Sequence, residues 1–297
     1  MNINNIKLAI APIGWSNDDM PDLGSHISFE QCIQEMSLAG YQGCEVGHKF
    51  PRDPVVLESA LSRHQLQVAS AWFSTYFTEA GRTEETIANF IIHMNFLKAM
   101  GANVIVVCEC GHSIQGKQLP ILANKPVFND TQWQQLIDGL HHIGSLASQN
   151  NMTIVYHHHM GTGIQQAAEI DRLMTMTNAK LVSLLFDTGH LAFASENPLA
   201  ILKAHGQRIR HIHLKDIRKD ILADVHEQQL SFLDAVRAGV FTVPGDGCID
   251  FAPIFKDILA LQYHGWWVVE AEQDPDKANP LTYAKMAREY LRLSVGL

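Results

Sequence analysis

The sequence predicts an α/β fold, a (β/α)8 TIM barrel, on three observations. Strand-like and helix-like segments alternate eight times along 297 residues. No Pro-, Gly- or Ser-rich linker divides them, so residues 1–297 read as one domain. The apolar runs end repeatedly in His, Asp or Glu, as in TIVYHHH, VSLLFDTGH, IRHIHLKD and GWWVVEAEQD. A buried strand that stops on an ionisable group is costly unless the group has a partner. In a barrel the C-terminal ends of all the strands meet at one mouth, and the groups there can partner one another. A doubly wound sheet is the competing arrangement. It is disfavoured because no GxGxxG follows the first strand and the polar ends are not gathered at one switch point.

The elements follow in order. LAIAPIG (8–14) is the first strand, and Ser28 with Gln31 three residues on forms a capping box for a helix carrying Phe29, Cys32, Ile33 and Met36, ended by Gly40. Residues 41–47 are the second strand, 53–64 a helix and 67–73 the third strand. Thr83 opens a helix with Ile87, Phe90, Ile91, Met94 and Leu97 on one face, and residues 103–109 form the fourth strand. A loop over 111–131 follows, long enough to suggest function. Helix 133–150 leads to the fifth strand, TIVYHHH, helix 165–177 to the sixth, LVSLLFD, and helix 197–205 to the seventh, RHIHLK. The next connection holds a helix over 224–238, the loop VPGDGCIDF and a helix through Phe255, Ile258 and Leu261. GWWVVEAE is the eighth strand, and a helix over 280–293 closes the chain.

Composition sets the outer bounds. With 46% hydrophobic residues the chain can bury a large core. A net charge of −9 argues against a nucleic-acid surface, which needs a basic face. Five scattered cysteines without a CxxC pair fit free thiols in a reducing cytoplasm. The opening MNINNIKLAIAPIGW reads as a first strand rather than a signal peptide, and no apolar run reaches the ~20 residues of a membrane span.

Side chains two apart share a face of a strand. His157 and His159 therefore point together, as do His211, His213 and Lys215, and Glu270 and Glu272. Imidazoles mixed with carboxylates suit a divalent metal. A satisfied buried imidazole is the plain alternative for any one His, and four independent strand ends weigh against it. His158 and Asp216 point away and read as structural. Lys215 reads either as a site residue or as a salt-bridged or snorkelling chain. Glu109 is a base, a substrate hydrogen-bonder or an ion-pair partner, and its neighbours Cys108 and Cys110 read as small core residues. Glu45 and His48 are weaker candidates for direct chemistry. Trp15 and Trp72 either wall a pocket or pack, WSNDDMPDLG reads as a solvated loop, and GDGCID lacks the context of a phosphate loop.

FDTGH, HIHLKD, the GDGCIDF loop and a Glu ending the last strand resemble the sugar isomerase/epimerase barrels related to xylose isomerase and endonuclease IV. Within that group, APIGWSNDDMPDLG, YHHHMGTG, FDTGHLAFA, HIHLKD and VVEAEQDP resemble the inosose dehydratases, from the first strand to the last. The resemblance implies a metal held by residues on strands five to eight. Asp187, His213 and Glu270 fall on the last three positions, and His157 stands where the wider group has a Glu, which leaves His157, His159 instead, or three protein ligands with more water as the alternatives there. It implies a metal-dependent dehydratase that eliminates water from 2-keto-myo-inositol to give a trihydroxycyclohexane-1,2-dione in inositol catabolism. Mn²⁺ or Co²⁺ is the implied metal, Zn²⁺ or Fe²⁺ suits the same donors, and glutathione is implied by the resemblance alone. Lys215, His190, Glu272, His159 and Glu109 are the candidate acid/base residues, their roles unassigned. The implied partner is a small polyhydroxylated cyclic ketone, with no nucleic acid, no membrane, and homo-oligomerisation left open. A ketose isomerase or epimerase on the same barrel is the runner-up, and a non-catalytic sugar-binding barrel is the non-enzyme alternative.

Overall fold

The computed structural model describes residue 3 and residues 5–297. Eight parallel staves surround a central axis. They are β1 (Ile6–Ile10), β2 (Gly43–Glu45), β3 (Gln67–Ser70, resuming after Ala71 as Trp72–Thr75), β4 (Val104–Glu109), β5 (Thr153–His157), β6 (Val182–Asp187), β7 (Ile209–Leu214) and β8 (Gly265–Val269). The first half of β3 pairs with β2 and the second half with β4, so the break at Ala71 lets one stave close the sheet. β1 pairs with β8 through Ile6–Gly265 to Ile10–Val269.

Alternation sorts the strand residues, interrupted in β7 where the register shifts after Ile209. Ile154 and Tyr156, Leu184 and Phe186, Ile212 and Leu214, and Trp267 and Val269 pack outward into the layer between sheet and helices. The alternate positions face the lumen. Ala9, Ala11, Ala69, Trp266 and Val268 fill one part of it, and Val104, Val106, Val155 and Leu185 another. These apolar residues are a floor. The next inward position along each strand meets the mouth and is polar.

The helices follow the sequence signals with local departures. Ser28 caps Phe29–Leu38 by accepting from the Gln31 N–H, but the Gln31 side chain turns to Glu35, so the capping box is half made. The helix expected over 224–238 is two helices, Lys219–Gln228 and Phe232–Ala238. Gln229 takes a left-handed conformation and Ser231 caps the second, which breaks the run. A short helix, Thr188–Phe193, not expected from the sequence, starts directly at the end of β6, with Asp187 as its N-cap. The first strand stops at Ile10, and Pro12–Gly14 is a 3-10 turn. No helix among the described residues is long and apolar enough to cross a membrane.

Candidate metal centre and active site

His157 ends β5, Asp187 ends β6, His213 lies in β7 and Glu270 directly follows β8. All four are on the inward parity of their strands, and one ligand-type atom from each lies within 4.8 Å of the others. His157 Nε2 and His213 Nδ1 each stand 3.6 Å from Asp187 Oδ2, and His213 Nδ1 abuts Glu270 Oε2.

Their neighbours aim them. His157 Nδ1 lies 2.6 Å from the His158 carbonyl, which assigns its proton there and leaves Nε2 facing the cluster. His213 Nε2 lies 3.0 Å from Glu45 Oε1, which leaves Nδ1 facing the cluster. Asp187 Oδ1 accepts from the His190 N–H at 2.8 Å, so Oδ2 is the free oxygen.

These residues fit a divalent cation. Asp187 Oδ2, His213 Nδ1 and Glu270 Oε2 are buried without a hydrogen-bond partner, the close His213–Glu270 approach lacking hydrogen-bonding geometry. Facing acceptor atoms cost free energy unless a cation sits among them. Ligands ~2.1 Å from one ion stand roughly 3.0–3.4 Å apart, near the 3.6 Å that separates Asp187 Oδ2 from His157 Nε2 and from His213 Nδ1. The cluster also demands positive charge. Burial alone would lower the His213 pKa, yet Glu45 and Glu270 push it well above the usual imidazole value. Two imidazoles with two carboxylates suit Zn²⁺, Mn²⁺, Co²⁺ or Fe²⁺.

Lys215, one residue past β7, is fully buried behind Glu270. Its Nζ lies 2.9 Å from Glu270 Oε1, 2.8 Å from Glu272 Oε2 and 3.0 Å from His190 Nε2. Burial opposes its charge, but Glu270, Glu272 and Asp187 hold its pKa above the ordinary lysine value. The Thr188 hydroxyl donates to the Lys215 carbonyl at 2.6 Å and accepts from the Lys215 N–H at 3.1 Å. His159 Nε2 stands 3.8 Å from Glu272 Oε1. Burial would lower the His159 pKa, and the Glu272 carboxylate outweighs it, raising the value. His190 goes the other way, pushed down by burial and by His159 and Lys215.

A cavity of about 350 Å³ opens above the cluster. His157, His159, His213, Glu270 and Glu272 face it, Trp72 forms one wall, and Asp18, Asp19, Ser113 and Gln115 stand around its entrance. The Trp72 ring meets His157 and His159 edge-on at 5.4 and 5.5 Å. Gln115, in the long loop after β4, donates to Asp19 in the loop after β1 and so joins two rims of the mouth.

Five sequence expectations need correction or refinement. Glu109 is outside the site. It shares the outward parity of Ile105 and Val107, and its two oxygens are taken by Thr75, Thr78 and the N–H groups of Phe77, Thr78 and Gly111. It anchors loops. Lys215 and His190 join the cluster but lie beneath the cavity surface rather than on it. WSNDDMPDLG is more than a solvated loop, since Asp18 and Asp19 line the entrance. Cys108 is a core residue as expected, whereas Cys110 faces the cavity. Glu45 is the residue most undervalued from sequence. It lines the cavity, accepts from Ser70, and holds His211 and His213 at 3.0 Å each. Its inward parity with Gly43 was the available signal.

Other expectations are placed simply. Trp15 packs, its Nε1 donating to Glu35 at 2.7 Å. His48 is exposed and pairs with Asp18. His158 faces away from the lumen, with Nε2 near the Asp187 N–H, and burial lowers its pKa to about 4. Asp216 gathers the N–H groups of Gly245, Gly247 and Ile249, which explains the GDGCID loop as a carboxylate-tied turn.

Residues 33–293 match the family model of the xylose isomerase-like TIM barrel. Inosose dehydratases are similar over the whole length. That of Geobacillus thermodenitrificans is 58% identical over 295 residues, and that of Bacillus thuringiensis strain Al Hakam 57%, each match covering 99% of both chains. The chain belongs to the inosose dehydratase family of xylose isomerase-like TIM barrels. Solved structures agree in fold at low identity. The IOLI protein with a binding zinc atom superposes with a TM-score of 0.73 at 14% identity, covering 98% of this chain and all of that one (100%). The probable 3-DHS dehydratase AsbF of Bacillus anthracis gives 0.73 at 15% identity, over 96% of this chain and 98% of that one. For an inosose dehydratase family member, the imidazole His157 on β5 is one of the four cluster residues, with His159 beside it over Glu272.

Proposed function

We propose that this chain is a metal-dependent hydro-lyase that removes water from 2-keto-myo-inositol to give a trihydroxycyclohexane-1,2-dione. The observation that carries the reading is the pairing of an orphaned-donor cluster with His159 and Glu272 on one cavity surface, in a chain 58% identical to an inosose dehydratase. His157, Asp187, His213 and Glu270 would hold the cation, Mn²⁺ or Co²⁺ in preference to Zn²⁺ or Fe²⁺. That cation would supply Lewis-acid stabilisation of the negative charge that grows on the ketone oxygen.

The chain's own residues handle the protons. Of the predicted acid/base residues, only His159 and Glu272 reach the cavity. Glu272 takes the proton α to the ketone. The electron pair left behind expels the β-hydroxyl, and His159, kept protonated by Glu272, gives that hydroxyl its proton. One water leaves, and the enol tautomerises to the dione. A proton passed from Glu272 to His159 restores the start. Lys215 does not touch substrate in this scheme. It fixes Glu270 and Glu272 relative to each other. The apolar wall of Trp72 covers a ring face, and Asp18 and Asp19 offer carboxylates to ring hydroxyls. The setting proposed is inositol catabolism in the cytoplasm.

The test is incubation of the metal-loaded protein with 2-keto-myo-inositol, followed by NMR in D₂O. Dione with loss of water supports the reading. Return of an isomer altered only by deuterium, or action on a ketose with inosose untouched, would replace it with the epimerase reading. His157→Ala should lose metal, whereas His159→Gln should keep metal and lose turnover. The reverse pattern would shift the ligand set on β5.

A further inference from the structure

We propose that the Lys215 ammonium fills a second cation site, built by Glu272, His190 and His159 beside the metal centre, and that shortening this side chain opens that site to a second divalent ion. The inference rests on the metal centre proposed above and not on the dehydration.

The argument starts from donor counting. An ammonium has three N–H groups. Lys215 Nζ has three acceptors at hydrogen-bond distance, Glu270 Oε1, Glu272 Oε2 and His190 Nε2, at 2.8–3.0 Å. The Phe241 ring closes a further side, 4.6 Å from Nζ to its centroid. The ammonium is thus enclosed on several sides in the manner of a bound ion. Its acceptors are also metal-ligand types. His159, His190 and Glu272 each place one donor atom within 4.8 Å of the others, all buried. His159 Nδ1 lies 3.0 Å from the Met160 carbonyl, so its Nε2 is the nitrogen that turns to Glu272 and that a second dication would take in exchange for a proton. His190 Nε2 accepts from the ammonium and must carry its lone pair there.

Glu270 supplies the second line of argument. Its Oε2 turns to His213 and the metal cluster, and its Oε1 turns to Lys215. A carboxylate with one oxygen toward each of two cationic positions is the bridge of a two-metal site, whose ions stand about 3.5–4 Å apart. Asp187 Oδ2, a member of the first cluster, is only 3.8 Å from Nζ. Lys215 therefore stands where the second ion of such a pair would be. The Lys215 head group, held there by three acceptors, occupies that position and keeps the centre mononuclear.

The experiment measures metal content and Mn²⁺ electron paramagnetic resonance on the full chain, loaded with Mn²⁺ and desalted. Wild type should hold one ion per chain with an isolated six-line spectrum. Lys215→Ala should hold two, with the broadened spectrum of a coupled pair. Lys215→Ser creates less void and should behave likewise if Lys215→Ala does not fold. Lys215→Met fills the space without charge and should stay at one. Adding Glu272→Gln or His190→Ala to Lys215→Ala should return it to one. A folded Lys215→Ala or Lys215→Ser protein with one isolated ion overturns the inference, as does a wild type holding two. A wild type that holds none overturns it together with the metal centre itself, which separates that failure from the others.

Discussion

Gly189 is where the FDTGH motif sets the polar cluster, and Gly189→Ala is the perturbation that reads it. A Cβ on Gly189 would stand 2.4 Å from Lys215 Cγ, 2.7 Å from Cδ and 2.8 Å from Cβ. Ordinary carbon contacts begin near ~3.5 Å, so the lysine stem must move by roughly 1 Å. Thr188 grips the Lys215 backbone at both N–H and carbonyl, so the base of the stem cannot retreat and the displacement passes to its tip. There the ammonium holds three acceptors at 2.8–3.0 Å, and such a shift breaks at least one of these contacts. A charge-assisted hydrogen bond contributes ~1.5–3 kcal/mol, and overpacking costs ~1–3 kcal/mol. The protein should fold with a melting temperature lower by roughly 4–10 °C. Glu272 then loses its fixed orientation toward the cavity. A misplacement of ~1 Å in catalytic geometry costs about 10²-fold in rate. Turnover of 2-keto-myo-inositol should therefore fall by that order, with KM and metal content close to wild type. NMR rate measurements and elemental analysis of the same preparation read both. Wild-type turnover in Gly189→Ala, or a loss of metal equal to the loss of turnover, would refute the argument that this glycine acts through Lys215.

Three further outcomes follow from single side chains. Glu45→Gln removes the carboxylate behind His213 and should weaken metal affinity roughly 10–100-fold, measured by competition with a chelator. Glu109→Gln places an amide N–H against donors of the loops it anchors. It should lower stability by at least ~1–3 kcal/mol in denaturant titration, while turnover per folded molecule stays within a few-fold of wild type. His93 is held neutral by burial, its pKa lowered to about 4. The unfolded chain binds a proton there near pH 6.5 and the folded one does not, so stability is lost as pH falls from about 6.5 to 4, by ~3 kcal/mol for this group. Its replacement by Phe should flatten that part of the stability profile, and an unchanged slope would contradict the assignment.

The barrel and most of the cluster are legible because strand parity is a strong local signal. His157 and His159, His213 and Lys215, and Glu270 and Glu272 are each two residues apart, so their common direction follows from sequence alone. The same rule, carried one strand further, would have excluded Glu109, which shares the parity of Ile105 and Val107, and admitted Glu45, which sits two residues from Gly43. Parity is silent about depth. His213 and Lys215 point the same way, yet His213 faces the cavity and Lys215 lies under Glu270, because the chain after β7 turns into the short antiparallel ribbon of Asp216–Ile217 with Phe241–Thr242. Nor can local pattern reveal contacts made across loops. Asp19 meets Gln115 over 96 residues of sequence, and neither loop has a periodicity that would announce it. The division is physical. Direction is set by the peptide repeat of one strand, whereas the height of a group at the mouth depends on where its strand ends relative to its neighbours. The register shift between Leu184 and Leu185 is one such adjustment, since it brings Asp187 level with His213. The chemistry at this mouth therefore depends on a register that exists only once β6 and β7 have paired.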